Sequence, residues 1–591
     1  MKSHERFHLS LLQKVLTDNS YSQKGSSVSR DLKYLSRRVS YEGLSFLTKI
    51  LPSFGKALLR GYESSRFTPP PGFKPRKKGS LLPAFLSGWT KRIFTDEGLL
   101  LPNPDVDSIR ELHQICYLFY KLETPYDSET IEKVISSFVQ TEEEIKSFRL
   151  DDLPLSSREI VAQARALLAD VFKGFDPKDI FPGHGPGAVA TGEKGNLKYS
   201  FKRKYQRLHQ KYPYYEYFSP SLSATFMDPC SYRQLEPSVL PVARVCLVPK
   251  DSRGPRLISM EPLELQWIQQ GLLKKLVPHI ESHKLTRYSV HFTDQTLNSR
   301  AALIASLDGM FATMDLKDAS DRVSLALFRA IFPDDIVEHF EACRSVATQL
   351  PDGRLVPLSK FAPMGSALCF PVMALTLWSL ITATQRLMHQ RETCLVYGDD
   401  IVVPTEQVGL IRCVLTMFAL KVNNEKTFSK GSFRESCGMD AYFGVPITPA
   451  RFRKTLPEKG RPAIDVILHW LALEEAFFER GMWNTSKFFF DAIESFVHLP
   501  WTHDRSHIGH FCPDPLVCNE RNSHWKRRLN SDYQAYDIRV PCPLPVKVKS
   551  KLNLVGRACK GLLGLYRYAG EDQLVALRGR SVMKYKWMTQ S

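Results

Sequence analysis

The chain of 591 residues has little of what marks a secreted or membrane-embedded protein. Its twelve cysteines are scattered, with no paired spacing before residue 500. That argues against a disulfide framework and suits free thiols in a reducing compartment. The opening MKSHERFHLSLLQKVL lacks the apolar run and small-residue cleavage site of a signal peptide. One long stretch, FAPMGSALCFPVMALTLWSLITATQ at 361–385, carries no charge. Pro363 and Pro371 interrupt it and Gly, Ser and Thr dilute it, so it reads as a loop leading into a buried helix rather than a membrane span. Internal repeats and low-complexity tracts are missing as well. Acidic residues are scarce at both ends. Residues 1–100 hold 18 Lys/Arg against 7 Asp/Glu, and residues 521–591 hold 15 against 4. The centre is slightly acidic, a distribution that suits a polyanion gripped by the flanks while carboxylates work in the middle.

What is present is ordinary for a large globular protein, with 43% hydrophobic and 24% charged residues. FTPPPGFKPRKKGS at 67–80 reads as an extended basic loop. DSIRELHQICYLFYKL and SSREIVAQARALLADVF carry helical periodicity, and GHGPGAVATGEKGN at 183–196 is a glycine-rich loop. KYPYYEYF at 211–218 is either a packed aromatic cluster or a set of base-stacking rings. Between about 240 and 450, short strands (ARVCLVPK, FATMDL, TCLVYG, DIVVP) alternate with long helices (LELQWIQQGLLKKLVPHI, PVMALTLWSLITATQRL), which predicts a mixed α/β core. Helical pattern returns in AIDVILHWLALEEAFFERG before a basic tail.

Two acidic clusters fall in that central stretch. CLVYGDDIVVP at 394–404 sets Asp399 and Asp400 side by side at a hairpin tip. Like charges so placed are either an ordinary surface turn or half of a divalent metal site. FATMDLKDASDRVS at 311–324 ends a strand in Asp315, with Asp318 and Asp321 following. Two-metal phosphoryl transfer needs carboxylates from at least two chain segments, and hard oxygen ligands suit Mg²⁺. VPKDSRGPRLISMEP at 248–262 offers Lys250, Arg253 and Arg256 around a turn, suited to a triphosphate. FALKVNNEKTFSKG at 418–431 places Lys426 where it could protonate departing pyrophosphate. The His503, His507, Cys512, Cys518 series has a spacing that matches no standard structural zinc site well.

The order of these pieces resembles the palm of a template-dependent RNA polymerase. In detail it is similar to the replicase catalytic (β) subunit of levivirus-type single-stranded RNA bacteriophages. FTDQTLNSR (292–300), MDLKDASDRVSLAL (314–327), VYGDDI (396–401) and LKVNNEKTFSKGSFRESCG (420–438) carry the match, with VPKDSRGPRLISMEP, across roughly residues 245–455. The resemblance implies an α/β (α+β) right hand. It consists of a basic N-terminal region (1–110), a fingers-type region (111–300), a palm (301–445, its catalytic part about 301–432) and a thumb with a basic C-terminal region (446–591). It implies that Asp315, Asp399 and Asp400 hold two Mg²⁺ ions, with Mn²⁺ able to substitute. Asp321 would read the ribose, Gly365 and Ser366 of APMGSALCF would contact template and nucleotide, and Lys250, Arg253 and Arg256 would hold the triphosphate. Where some relatives have Gly-Asn, this chain has Gly365-Ser366. FRESCGMDAYFG (433–444) resembles the element that grips the primer strand.

The implied activity is RNA-directed RNA synthesis on a single-stranded RNA template, from NTPs, in the cytoplasm of a bacterial host and without a membrane. Host elongation factors Tu and Ts and a ribosomal RNA-binding protein are the partners the resemblance implies. Two alternatives stand beside it. A reverse transcriptase would prefer dNTPs, and a non-catalytic RNA-binding protein with a palm-like fold would bind RNA without extending it.

Overall fold

A computed structural model describes residues 3–19, 25–218, 235–238, 240–457, 460, 462–545 and 581–589. Helices dominate the first part: α1 (Ser3–Asp18), α2 (Leu51–Ser64), α3 (Val106–Tyr117), α4 (Ser128–Ser147) and α5 (Leu155–Val171). The α4 start is set by Asp127, whose carboxylate accepts from the Thr130 N–H and satisfies a donor that the first turn leaves open. A hairpin follows, β1 (Val242–Asp251) and β2 (Gly254–Met260), and then α6 (Leu263–Ser282) and α7 (Thr296–Asp308). Next come β3 (Phe311–Met314), β4 (Ala347–Gln349), β5 (Leu355–Pro357) and α8 (Cys369–Leu387). The hairpin β6 (Leu395–Tyr397) and β7 (Asp400–Pro404) precedes α9 (Val408–Met417), β8 (Phe433–Ser436) and β9 (Met439–Tyr442). Helices α10 (Ile464–Glu479) and α11 (Trp483–Glu494) lead to a C-terminal sheet.

The mixed helix-and-sheet architecture and the expected central alternation are both present. Two sheets, with the turns and loops beside them, carry the residues singled out from sequence. One is antiparallel with the order β3-β7-β6; the other, β2-β1-β4-β5, is antiparallel except where β1 runs parallel to β4. In the first, β7 lies between its neighbours, and Ile401, Val402 and Val403 are all buried. Burial on both faces explains why DIVVP is a continuous apolar run and not an alternating one. The uncharged stretch at 361–385 is a loop followed by α8, whose residues from Pro371 to Gln385 are all buried. Among the described residues no helix is long and apolar enough to cross a membrane.

The apolar side chains form two large cores. One gathers α5, α6, α8, α9 and the β3-β7-β6 sheet, and it takes in Tyr212, Tyr214, Tyr217 and Phe218. KYPYYEYF is therefore mainly a packed cluster, with Tyr214 stacked on Phe218 at 4.0 Å, although Tyr215 stays exposed. The second core joins distant parts of the chain: residues from Leu9 to Leu122 interlock with residues from Phe428 to Leu499. Cys512 and Cys518 are buried as well, and their thiols donate to the carbonyls of Asp514 and Cys512. Most of the basic tail, residues 546–580, lies outside the described residues.

Candidate active site

The two acidic clusters meet at one end of the β3-β7-β6 sheet. Met314 pairs with Ile401, so the next residues outward, Asp315 and Asp400, emerge side by side. Tyr397 pairs with Asp400 and closes a two-residue loop of Gly398 and Asp399. Gly398 has φ of +62°, and a Cβ there would lie 2.1 Å from the Phe370 ring. Only glycine allows the hairpin to turn this tightly against α8. The tip is braced from behind. The Asn298 amide donates to the Asp400 carbonyl at 3.2 Å, and Tyr397 accepts from Gln295 at 3.0 Å while donating to the Phe292 carbonyl at 3.2 Å. FTDQTLNSR thus serves the hairpin from the start of α7.

The electrostatics are those of crowded acids. Burial, then the charges of Asp399 and Asp315, push the Asp400 carboxyl up to about 7. Burial likewise lifts Asp315 to about 6, against the pull of Lys426 and a hydrogen bond from Asn423 at 2.8 Å. The Cys437 N–H donates to Asp400 Oδ2 at 3.3 Å. The Lys426 ammonium stands 3.8 Å from Asp315 and 3.4 Å from Glu435, and Glu435 above all raises its pKa well beyond the ordinary lysine range. Asp315, Asp400 and Glu435 around one lysine, with Asp399 beside the two aspartates, leave an excess of negative charge. Hard oxygen donors from two strands, crowded until two of them shift, are the chemistry a divalent cation relieves. Among the described residues, no three His, Cys, Asp or Glu side chains are yet close enough to hold an ion as they stand.

The remaining residues singled out from sequence fall around this centre. Asp321 sits on the short turn after Asp318, and its Oδ1 is 2.7 Å from the ammonium of Lys360. Lys250, Arg253 and Arg256 lie on the β1–β2 hairpin. Desolvation, then the like charge of Arg256, lowers Lys250 from the ordinary lysine range, with Arg253 and Lys426 adding to it. Lys250, Arg256 and Lys426 therefore belong to one cationic neighbourhood. Arg253 is turned to Asp251, which it grips through Nε at 3.1 Å and Nη2 at 2.7 Å.

Gly365 has φ of +127° and packs on β2, where a Cβ would lie 2.1 Å from the Ser259 carbonyl oxygen. The Ser259 N–H donates to the Met364 carbonyl at 2.8 Å, and Ser366 is buried. Gly365→Ala is expected to destabilise the fold by about 1–3 kcal/mol, read as a lower denaturant midpoint. An unchanged midpoint would mean that this loop is not seated on β2.

Residues 210–468 match the family described as RNA replicase, beta-chain. The RNA-directed RNA polymerase subunit beta of Escherichia virus Qbeta is 32% identical over 249 residues, which is 42% of this chain and 40% of its own length. The RNA-directed RNA polymerase beta chain of Enterobacteria phage fr is 32% identical over 214 residues, 36% of this chain and 38% of its own. The chain thus spans about two-fifths of the length of these curated relatives. Among solved structures, the RNA-dependent RNA polymerase of a human picobirnavirus aligns with 62% of this chain and 74% of its own at 10% identity, with a TM-score of 0.35.

The matched stretch contains Asp315, Asp399, Asp400 and Glu435, and it is of α+β form, an antiparallel sheet backed by helices. Sequence reasoning missed four residues that hold the site together: Asn298, Asn423, Glu435 and Lys360. The two asparagines stand in FTDQTLNSR and LKVNNEKTFSKG and could have been marked as partners of the aspartates. Glu435 and Lys360 gave no signal, since their roles arise only when β8 and the 358–366 loop fold back on the sheet.

Proposed function

We propose that this chain is an RNA-directed RNA polymerase that extends RNA on a single-stranded RNA template and releases pyrophosphate. The observation that carries the reading is the meeting of Asp315 with Asp399 and Asp400 at the end of one sheet, inside a replicase-family stretch. Asp315, Asp399 and Asp400 would hold two Mg²⁺ ions, with Mn²⁺ able to substitute, and these would supply activation of the 3′-hydroxyl and neutralisation of the leaving group. The chain itself does the rest by positioning and charge. Lys250 and Arg256, exposed on the β1–β2 hairpin, offer cations to the triphosphate, with Arg253 beside them. Lys426, kept protonated by Glu435 and the aspartates, is the proton donor to departing pyrophosphate. Asp321 accepts from the ribose 2′-hydroxyl, the group that separates ribonucleotides from deoxyribonucleotides. Gly365 and Ser366 line the approach of template and nucleotide.

In this reading the β1–β2 side acts as fingers and the α10–α11 side as thumb. The protein works in the cytoplasm of a bacterial host, with host elongation factors Tu and Ts and a ribosomal RNA-binding protein as partners.

The test is incorporation of labelled rNTPs by the purified chain on an RNA template with Mg²⁺, with and without bacterial extract. Incorporation only with extract would make this the catalytic subunit of a host-assisted complex. Preference for dNTPs would sink the reading in favour of a reverse transcriptase, and RNA binding without incorporation would favour the non-catalytic alternative. RNA affinity is also expected to fall on the order of 10²-fold between 50 and 200 mM salt, because neutralised phosphates release counterions. A flat response in a filter-binding titration would mean that the basic ends do not touch phosphate.

A further inference from the structure

Lys360 is a fully buried ammonium held between two carboxylates, 2.7 Å from Asp321 Oδ1 and 2.7 Å from Glu142 Oε1. It also lies 3.9 Å above the Phe138 ring. The three ionic side chains are not equally enclosed: Lys360 is 0% exposed, Glu142 3% and Asp321 20%. Only Asp321 opens outward, with the other two stacked behind it. Glu142 is fixed in turn, since its Oε2 accepts from the Ser359 N–H at 2.8 Å.

Phe138 and Glu142 belong to α4, far from the palm in sequence. The same helix makes a second hold on the same turn, through Glu144 to the buried Arg322 at 2.8 Å and to Lys421 at 2.9 Å. These two bonds, Lys421 first, lower the Glu144 carboxyl to about 2. The 319–322 turn is therefore clamped at adjacent residues by two acids of one helix.

A structural purpose alone accounts poorly for this arrangement. A buried ion pair gains little over apolar packing, and one cation between two carboxylates leaves a surplus anion. Such a group makes sense where it must hold a carboxylate in one place. With Oδ1 committed to Lys360, Oδ2 is the Asp321 oxygen left to accept from a ligand.

We propose that Lys360 is a positioning residue for sugar discrimination, fixing Asp321 against the incoming nucleotide, and that Glu142 on α4 holds Lys360 in place. The inference rests on the polymerase reading above and deepens it. Its test is single-nucleotide incorporation on a primed RNA template, comparing kcat/KM for ATP and dATP. Lys360→Met is expected to reduce the ATP-over-dATP ratio about tenfold, the value of one lost hydrogen bond to a charged group. Lys360→Met with Asp321→Asn should discriminate no worse than Asp321→Asn alone, since both act through one contact.

Because Lys360→Met leaves the buried Glu142 and the half-buried Asp321 without their cation, Glu142→Gln serves as the second variant. It keeps the Lys360–Asp321 contact and should lower the ratio about two- to threefold, with a thermal midpoint confirming the fold. A Lys360 variant that lowers ATP and dATP use equally overturns the inference. So does an Asp321→Asn variant that discriminates as well as the wild type. A wild type that incorporates neither nucleotide overturns the polymerase reading, and this inference with it.

Discussion

Asp400→Asn is expected to lower nucleotide incorporation by at least about 10³-fold while changing RNA affinity less than about twofold. The substitution keeps the shape of the side chain and the β7 backbone, so the Asn298 amide and the Tyr397 pairing persist. What it removes is a hard anionic oxygen from a set of three, at the position where charge must be balanced as phosphate transfers. RNA affinity should rest on the basic flanks, which the substitution does not touch. Equal incorporation by the variant would remove Asp400 from the metal set, and a parallel loss of RNA binding would point to a damaged hairpin.

The same variant should be the more stable protein when divalent cations are absent. In the folded chain Asp400 ionises near pH 7, while an unfolded aspartate ionises near 4. Its contribution to stability is full below about pH 4 and is lost as pH rises through 7, where an ionised Asp400 opposes folding. Asparagine carries no such charge. In EDTA, the melting midpoint of Asp400→Asn should therefore exceed that of the wild type at pH 8. The gap corresponds to as much as a few kcal/mol and closes as pH falls from 7 towards 4. Added Mg²⁺ should stabilise the wild type more than the variant and close the gap at pH 8. A midpoint difference that is the same at pH 5 and pH 8 would show that Asp400 is not a strained acid. Asp315, raised to about 6 by burial, should behave similarly over a lower range.

How much of this was legible in the sequence depended on how locally each feature is determined. The YGDD tip could be read at once, because a two-residue loop and two flanking apolar strands are set by eleven consecutive residues. The meeting of Asp315 with the tip is expected because two-metal chemistry needs carboxylates from separate segments, and the β3–β7 register pairs their neighbours Met314 and Ile401. Lys360 could not be read: PLSKFAP looks like an ordinary surface loop until Glu142 and Asp321, 218 and 39 residues away, close around it. Its place in a basic turn marks Arg253 as a phosphate ligand, yet the carboxylate it grips is Asp251, two residues before it. The resemblance marks Gly365 for ligand contacts, while the backbone angle and nearness of Ser259 that require glycine there belong to tertiary packing.

The second apolar core, with Leu9 to Leu122 packed against Phe428 to Leu499, sets a timetable for the newborn chain. Translation at about 5–20 residues per second puts roughly 25–100 s between synthesis of Leu9 and of Leu499. Throughout that interval α1, α2 and α3 lack the partners from Phe428 onward, while the stretch bearing the aspartates is completed before the core can shut. Slower elongation late in the message should lengthen that wait and the exposure to aggregation that comes with it.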